Sequence, residues 1–316
     1  MNLGDMAARA KSILDEVEKA IVGKRPVLEK VLLAFLCDGH VLVEDYPGLA
    51  KTLMAKSFAS ALGCDFKRVQ FTPDLLPADI TGTYVFDRKS SEFVLRRGPV
   101  FTNVLLADEI NRSPPKTQAA LLEAMQERQT TLEGETHPLD RPFVVIATQN
   151  PIEYEGTYPL PEAQIDRFLI RIGIGYPTKD QEREILSRRI RRGEDEVRVD
   201  RMSSPTEVVA MQKAIEGVHV DEALESYIVD IASRTRSHPQ VEVGASPRGS
   251  LALMKLARAR GALRGRDFVV PDDVKEIAVE GLAHRLILKP DPWIKGVAPS
   301  TIVTEVLASV PVPKVD

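Results

Sequence analysis

Short apolar runs alternate with amphipathic stretches over the first half of the chain. The runs are rich in Val, Ile, Leu and Phe, and they lie at 41–43, 66–71, 104–107, 143–147 and 168–174. Continuous apolar runs of this kind are typical of strands buried on both faces of a parallel sheet. Helical spacing of apolar residues occurs at 5–21, 25–38, 53–62 and 114–128. This alternation predicts an α/β fold that binds ligands at the carboxyl ends of its strands.

Two further segments interrupt the alternation. Residues 74–102 contain two β-like pieces, at 82–86 and 93–95, separated by a polar turn. A second pair of short pieces turns at Gly134 within residues 129–141. Short alternating runs joined by polar or glycine-containing turns predict hairpins. We therefore expect one hairpin in each insert.

The strand pattern ends near residue 178. Helical patterns follow at 179–192, 205–216, 221–236, 247–262, 271–285 and 299–309. Several of these segments begin with proline, which is tolerated in the first turn of a helix, and Ser204 with Glu207 forms a capping box. The sequence thus predicts an α/β domain at 1–178 and a small all-helical domain at 179–316.

Composition and charge exclude several classes of protein. The chain is 43% apolar and 28% charged, which is typical of a soluble globular protein. Its net charge is −4, and the arginine run at 188–192 is followed at once by acidic residues, so no nucleic-acid partner is expected. Cys37 and Cys64 form no CxxC pair, and no apolar run has the length of a membrane span. We expect a cytoplasmic protein that does not insert into membranes.

The segment from Asp45 to Thr52 lies between the first apolar run and a helix. A phosphate loop needs inward-facing backbone N–H groups and a helix N-terminus directed at the anion. Lys51 would then neutralise phosphate charge, and Thr52 would bind Mg²⁺. Asp45 and Ala50 stand where the full pattern has glycine, so a chance turn of similar sequence is the alternative.

An acidic pair, Asp108 and Glu109, ends the third apolar run. Asp108 would bind Mg²⁺, and Glu109 would orient and deprotonate an attacking water. Two solvated acids at a strand end are the alternative, which the upstream Lys51 and Thr52 make less favourable. Asn150 follows the fourth run at the same predicted sheet edge, where it would hydrogen-bond the water or the γ-phosphate, unless it belongs to an ordinary Asn-Pro turn.

These motifs, in this order, resemble the AAA+ ATPases and, within them, the MoxR family. The resemblance covers nearly the whole chain. It rests on PGLAKT at 47–52, DEINR at 108–112, QxxLLExMxE at 118–127, ATQNPIE at 147–153, EGTYPLPEAQ at 155–164, DRF at 166–168 and GASPR at 244–248. The stretch at 147–168 is highly specific, whereas Asp45 departs from the glycine that the family usually has.

The resemblance implies a P-loop AAA+ domain with a parallel five-stranded sheet, followed by a helical lid. It also implies a ring, often a hexamer, with ATP/ADP and Mg²⁺ bound between subunits. The implied nucleotide-binding residues of the loop are Pro47, Gly48, Leu49, Ala50, Lys51, Thr52 and Leu53. Val22 and Gly23 match a segment that packs against adenine in such proteins, although an ordinary turn between helices fits Gly23 equally well.

Two arginines acquire a role only through this resemblance. Arg167 matches the arginine finger that reaches a neighbour's γ-phosphate, with a surface pair between Asp166 and Arg167 as the alternative. Arg248 matches the sensor 2 arginine of the lid, which in proteins with an insert like 74–102 is expected to act on the neighbouring subunit's nucleotide. Arg112 would touch substrate or the next subunit, or simply face solvent.

The function implied is a MoxR-like ATPase that couples ATP hydrolysis to the remodelling or activation of a protein client, including cofactor insertion, often with a von Willebrand A domain partner. A nucleotide-controlled assembly switch with little turnover is the main alternative. A nucleic-acid motor is a third reading, which the acidic net charge and the lack of a basic stripe oppose.

Overall fold

The computed structural model describes residues 1–151 and 156–314. Ile152, Glu153 and Glu155, which belong to the family-specific stretch, lie outside these residues. The strands are β1 Val41–Glu44, β2 Phe66–Gln70, β3 Gly82–Asp87, β4 Glu92–Arg97, β5 Val104–Asp108, β6 Gln129–Leu132, β7 Glu135–Pro138, β8 Val144–Gln149, β9 Ile170–Ile172, β10 Val241–Val243 and β11 Ile287–Leu288.

The helices are α1 Leu3–Ala20, α2 Arg25–Leu36, α3 Lys51–Leu62, α4 Pro77–Thr81, α5 Pro115–Glu127, α6 Glu162–Ile165, α7 Lys179–Arg192, α8 Pro205–Ile215, α9 Glu222–Arg236, α10 Pro247–Leu263, α11 Pro271–Leu282, α12 Pro290–Ile294 and α13 Pro299–Ser309. The longer ones agree with the predicted helices to within a few residues. The predicted helix at 271–285 is the exception, since it ends at Leu282 and continues as a 3₁₀ turn over 283–285. The sequence patterns missed α4, α6 and α12, which have at most five residues each and too little length for a periodic signal.

The five predicted core strands form one parallel sheet in the order β2-β5-β8-β1-β9. Both faces are buried. In β1, Val41 and Val43 join the hydrophobic cluster formed with α1, α2, α3 and the lid, whereas Leu42 joins the cluster on the opposite face, against α5. This burial on both faces explains why the strands appear in the sequence as continuous apolar runs.

Both inserts form antiparallel hairpins, as predicted. β3 pairs with β4, and β6 pairs with β7 across the turn at Gly134. The two hairpins touch, because the Tyr84 hydroxyl donates to Glu135 Oε2 at 2.6 Å. Phe86 and Phe93 form an exposed edge-to-face pair near the end of the first hairpin.

The region after residue 178 is helical apart from one short ribbon. β10 and β11 pair antiparallel, and the prediction of an all-helical lid is wrong in this respect. Strands of three and two residues give no readable alternation, so the pattern missed them. The lid packs on the sheet domain through one continuous hydrophobic cluster that includes Leu28 of α2, Ile170 of β9 and Leu253 of α10. Among the described residues, no helix combines the length and apolarity that a bilayer crossing requires.

Candidate functional site

The loop between β1 and α3 adopts left-handed backbone angles at two residues. Gly48 has φ +81°, and Ala50 has φ +56° and caps the first turn of α3. A left-handed alanine costs about 1 kcal/mol, which glycine at the same position would avoid. The turn starts α3 at Lys51, so the helix N-terminus, where unpaired N–H groups favour anions, directly follows the loop.

Asp45 is turned away from this loop. Its carboxylate accepts the N–H groups of Ile174 and Gly175 at 2.6 and 2.7 Å, on the far side of β1. Its Oδ1 accepts the neighbouring Tyr46 N–H at 2.9 Å, and its backbone carbonyl accepts a hydrogen bond from Lys51 Nζ at 2.5 Å. The carboxylate is therefore not aimed at the phosphate position, and the departure from glycine introduces no negative charge there.

The two acids at the end of β5 are aligned by Thr148 of β8. The Thr148 hydroxyl donates to Asp108 Oδ1 at 2.6 Å and accepts the Glu109 N–H at 2.9 Å. Thr148 is fully buried, and β8 lies between β1 and β5 in the sheet. One side chain thus fixes the acids beside the phosphate loop. Sequence analysis passed over Thr148, although it lies two residues before Asn150.

Both acids also contact donors that the sequence analysis did not identify or left open. Arg68 of β2 donates to Asp108 Oδ2 at 2.7 and 3.0 Å. Gln70 of the same strand donates to Glu109 Oε2 at 2.7 Å, and Arg112 donates to that oxygen at 2.9 Å. The solvent-only reading of Arg112 is therefore wrong. The strand register explains Arg68 and Gln70, because β2 and β5 are neighbours and Gln70 lies opposite Asp108.

One cleft of about 420 Å³ collects the predicted phosphate and acid residues. It is lined by Pro47, Gly48, Leu49, Ala50, Lys51, Thr52, Leu53, Asp108, Glu109 and Asn150. Thr52 and Asp108 offer the hard oxygen ligands that Mg²⁺ prefers. The described residues hold no group of three or more His, Cys, Asp or Glu suited to a metal. Thr52 and Asp108 line one cleft, which fits Mg²⁺ because this ion commonly takes one or two protein ligands and completes its shell with phosphate and water.

Arg167 and Arg248 line a different cavity. This cavity, of about 300 Å³, also contains Asp166, Arg128 and Arg285. We call it the arginine cavity. The Asp166 carboxylate is bonded to Arg285 at 2.7 Å and to Arg248 at 3.3 Å. The structure thus brings the two predicted phosphate-binding arginines together, and it does not bring them to the phosphate loop of their own chain.

Arg285 holds the floor of the arginine cavity. Its side chain is 3% exposed, and its guanidinium donates to the carbonyls of Gly281, Asp166 and Phe168, each at 2.9 Å. Burial lowers the pKa of Arg285 to about 10, with Asp166 acting in the opposite direction, so the group stays charged at neutral pH. No local motif marked this residue, since two of its partners, Asp166 and Phe168, lie about 120 positions earlier in the chain.

Val22 and Gly23 do not line the phosphate cleft. Gly23 has φ +68°, and its carbonyl accepts the Gln181 side-chain amide of α7 at 3.0 Å. The neighbouring Lys24 donates to the Tyr176 carbonyl at 2.9 Å. The turn therefore packs against the start of the lid. An adenine contact by Val22 and Gly23 stays a prediction.

Comparisons with known proteins agree with this architecture. Residues 40–170 match the profile of the ATPase family associated with various cellular activities (AAA), and residues 233–306 match an AAA lid domain. The chain is 46% identical to YeaC of Bacillus subtilis over 95% of this chain and 93% of that protein. It is 44% identical to the chaperone MoxR1 of Mycobacterium tuberculosis over 95% of this chain and 81% of that protein.

A solved structure gives the same result. A Cytophaga hutchinsonii protein assigned as an ATPase has a TM-score of 0.92 and 40% identity, covering 99% of this chain and 97% of that chain. The similarity thus includes the parallel sheet, the inserts and the lid. Matched in sequence over 95% of its length and in fold over 99%, the chain belongs to the MoxR family of AAA+ ATPases.

Proposed function

We propose that this protein hydrolyses ATP with Mg²⁺ in the cleft between the phosphate loop and the acidic pair. The observation that carries the proposal is the convergence of Lys51, Thr52, Asp108, Glu109 and Asn150 on one cleft. Lys51 and the N-terminus of α3 would bind the phosphates, and Thr52 with Asp108 would hold the metal. When bound, Mg²⁺ would neutralise part of the negative charge that develops on the phosphate oxygens.

Glu109 is the residue that we propose as the general base. It ends the β5 strand in a left-handed conformation, with φ +57°, and its N–H is fixed by Thr148. Gln70 and Arg112 hold its carboxylate at one oxygen. Asn150 lines the same cleft, where its amide would orient the attacking water.

We propose that the site is completed by a second copy of the chain. Arg167 and Arg248 would supply positive charge to the γ-phosphate bound by the neighbour, as an arginine finger and a lid sensor. Their placement in a cavity separate from the phosphate cleft supports action between subunits. A head-to-tail contact of this kind closes into a ring, and we propose a hexamer.

The client would be another protein. Homology to a protein named as a chaperone supports the remodelling or activation of a client, and cofactor insertion with a von Willebrand A domain partner is the finer form of this proposal.

We place the domain boundary at residues 178 and 179, where Thr178 caps α7 through the Gln181 N–H. The cytoplasmic location expected from the sequence stays a prediction.

The test is the steady-state ATPase rate of the purified protein over a range of protein concentrations, with Glu109→Gln as the matched variant. We expect turnover per subunit to rise with concentration, and Glu109→Gln to bind ATP while losing about 10²–10⁴-fold in kcat. Equal rates for the two proteins would remove Glu109 from the mechanism.

One observation favours the alternative of a nucleotide switch with little turnover. Arg68 contacts the same Asp108 oxygen atom from two of its nitrogens, and this pairing would compete with a metal for the carboxylate. Arg68→Gln distinguishes the two functions. In a slow switch restrained by this pair, the variant would hydrolyse ATP faster. In the ATPase that we propose, the rate would change by less than about threefold, because the exposed Arg68 side chain can withdraw at little cost.

The nucleic-acid motor has less support. The arginine-rich end of α7 is paired internally, with Arg189 bonded to Asp195 and Arg188 and Arg191 bonded to Glu184. These pairings support a solvated helix end that compensates its own charge, instead of a nucleic-acid patch.

A further inference from the structure

The phosphate loop is bonded to the linker that leads into the lid. We call residues 173–178, between β9 and α7, the lid linker. Asp45 Oδ2 accepts the N–H groups of Ile174 and Gly175 at 2.6 and 2.7 Å, and Oδ1 accepts the N–H of Tyr46 at 2.9 Å. Asp45 is 7% exposed, so these bonds are shielded from water. Charge-assisted bonds of this kind are about twice as strong as neutral ones.

Asp45 is bonded to the phosphate-binding lysine as well. Its backbone carbonyl accepts Lys51 Nζ at 2.5 Å, while its side chain faces the opposite way. One residue therefore contacts the group that would meet the phosphates and the segment that carries the lid. A second contact joins the same two segments, because the rings of Tyr46 and Tyr176 stack with centroids 5.9 Å apart.

The lid linker has a turning point inside this contact. Gly175 has φ +68°, and no atom would obstruct a side chain there, so backbone conformation is what favours glycine. Its N–H is one of the two that Asp45 holds. A change in the direction of Asp45 would therefore act on the residue at which the linker bends.

We propose that Asp45 is a positioning residue that transmits the state of the phosphate loop to the lid linker and so sets the orientation of the lid. This inference rests on the proposed ATPase function. Asp45 does not touch the nucleotide in this scheme. This positioning role explains why a carboxylate stands at a position where the family usually has glycine.

The experiment compares four variants. Asp45→Ala and Asp45→Gly remove the acceptor, and the glycine variant has the residue usual in the family. Asp45→Asn keeps an amide oxygen that can accept both linker N–H groups and loses only the bond from the Tyr46 N–H, because its NH₂ group cannot accept. Asp221→Ala is the matched control, because Asp221 accepts a backbone N–H at 2.8 Å in the lid, at the start of α9. Three quantities are measured: the Kd for ADP with Mg²⁺, the kcat for ATP, and amide hydrogen exchange with and without ADP.

We expect exchange at Ile174 and Gly175 to be at least tenfold faster in Asp45→Ala and Asp45→Gly. Their kcat should fall about tenfold while the Kd for ADP stays within about fivefold. The change in α7 exchange that ADP produces in the wild type should be lost. Asp45→Asn should recover most of the protection and turnover, and Asp221→Ala should change neither.

Three outcomes would overturn the inference. The first is a wild-type kcat together with a wild-type ADP response in both Asp45→Ala and Asp45→Gly. The second is an effect of Asp45→Asn as large as that of Asp45→Ala. The third is a loss of more than about 100-fold in ADP affinity, which would place Asp45 at the phosphates. A wild type that binds ADP but shows no turnover would overturn the proposed function instead. The inference would then be decided by the exchange response of α7 alone.

Discussion

The phosphate cleft and the arginine cavity carry complementary chemistry on separate parts of one chain. The cleft combines a lysine, a helix N-terminus and two acids, with Arg68 and Arg112 bonded to those acids. The cavity is lined by Arg167, Arg248, Arg128 and Arg285, and Arg248 and Arg285 are bonded to the carboxylate of Asp166. The first is suited to the Mg²⁺–nucleotide that we propose, and the second has an excess of cations without a phosphate loop. We therefore expect each chain to present two halves of a site, the phosphate cleft to one neighbour and the arginine cavity to the other.

Two buried histidines, His40 and His284, lie near the cavity, and the pKa of each is lowered. Burial, and then the charge of Arg128, lowers the pKa of His40 to about 3. Burial, and then Arg285 and Arg171, lowers the pKa of His284 well below its ordinary value. His40 is held as a neutral ring, since its Nδ1 accepts the Val145 N–H and its Nε2 faces the Met125 carbonyl. Burial and the nearby arginines both disfavour a positive charge on these rings.

The largest expected effect separates the two halves directly. Arg167→Ala should lower kcat by about 10³-fold or more, because an arginine finger stabilises transition-state charge by that order. Lys51→Ala should be equally inactive through loss of phosphate binding. In a random mixture of the two, about a quarter of the interfaces would combine an intact loop with an intact arginine. We expect ATPase activity to reappear on mixing, and a mixture as inactive as its parents would break the comparison.

The next effect concerns the floor of the arginine cavity. Arg285→Ala leaves several buried carbonyls and the Asp166 carboxylate without their donor, so the free energy of unfolding should fall by about 3 kcal/mol. Urea denaturation measures this change. Arg191→Ala, whose side chain is 69% exposed, is the control and should leave the midpoint unmoved. An unchanged midpoint in Arg285→Ala would show that the cavity does not depend on this residue.

A third effect is a pH dependence of stability from His40. The folded pKa of about 3 lies below the ordinary 6.5, so the unfolded chain binds a proton that the folded chain excludes between these values. This contribution to the free energy of unfolding is fully present above pH 6.5. It is lost as the pH falls, and the loss reaches about 2 kcal/mol near pH 5. His40→Gln can keep both hydrogen bonds without titrating. The free energy of unfolding should therefore fall more steeply from pH 7 to 5 in the wild type than in His40→Gln, and parallel profiles would show that folding leaves the pKa of His40 unchanged.

The smallest effect belongs to the phosphate cleft. Thr148→Val keeps the shape of the side chain and removes the hydroxyl that joins Asp108 to the Glu109 N–H. We expect kcat to fall about tenfold, with little change in ATP affinity, because the acids lose alignment and keep their charge. Thr130→Val, at a buried threonine of the second insert, is the control. A change in affinity without a change in kcat would assign Thr148 to binding instead.

The sequence predicted the cleft better than the cavity for a definite reason. Lys51, Thr52, Asp108 and Asn150 each lie at or after the carboxyl end of a strand of a parallel sheet, and such ends meet at one edge. Arg68, Gln70 and Thr148 were missed because they lie within the strands, where only the order β2-β5-β8 shows that they face the acids.

By itself the sequence determined the alternation of strands and helices and both hairpins, and it predicted the start of the lid and the residues of the phosphate loop. These features depend on local periodicity, turn chemistry and motif spacing, which act over a few residues. The tertiary structure alone decided that Asp45 points away from the loop, that Asp166 pairs with Arg285 and Arg248, and that a small ribbon interrupts the lid helices. Such contacts join residues from about 50 to 130 positions apart, and their hydrogen bonds and charges find partners only after the chain has folded.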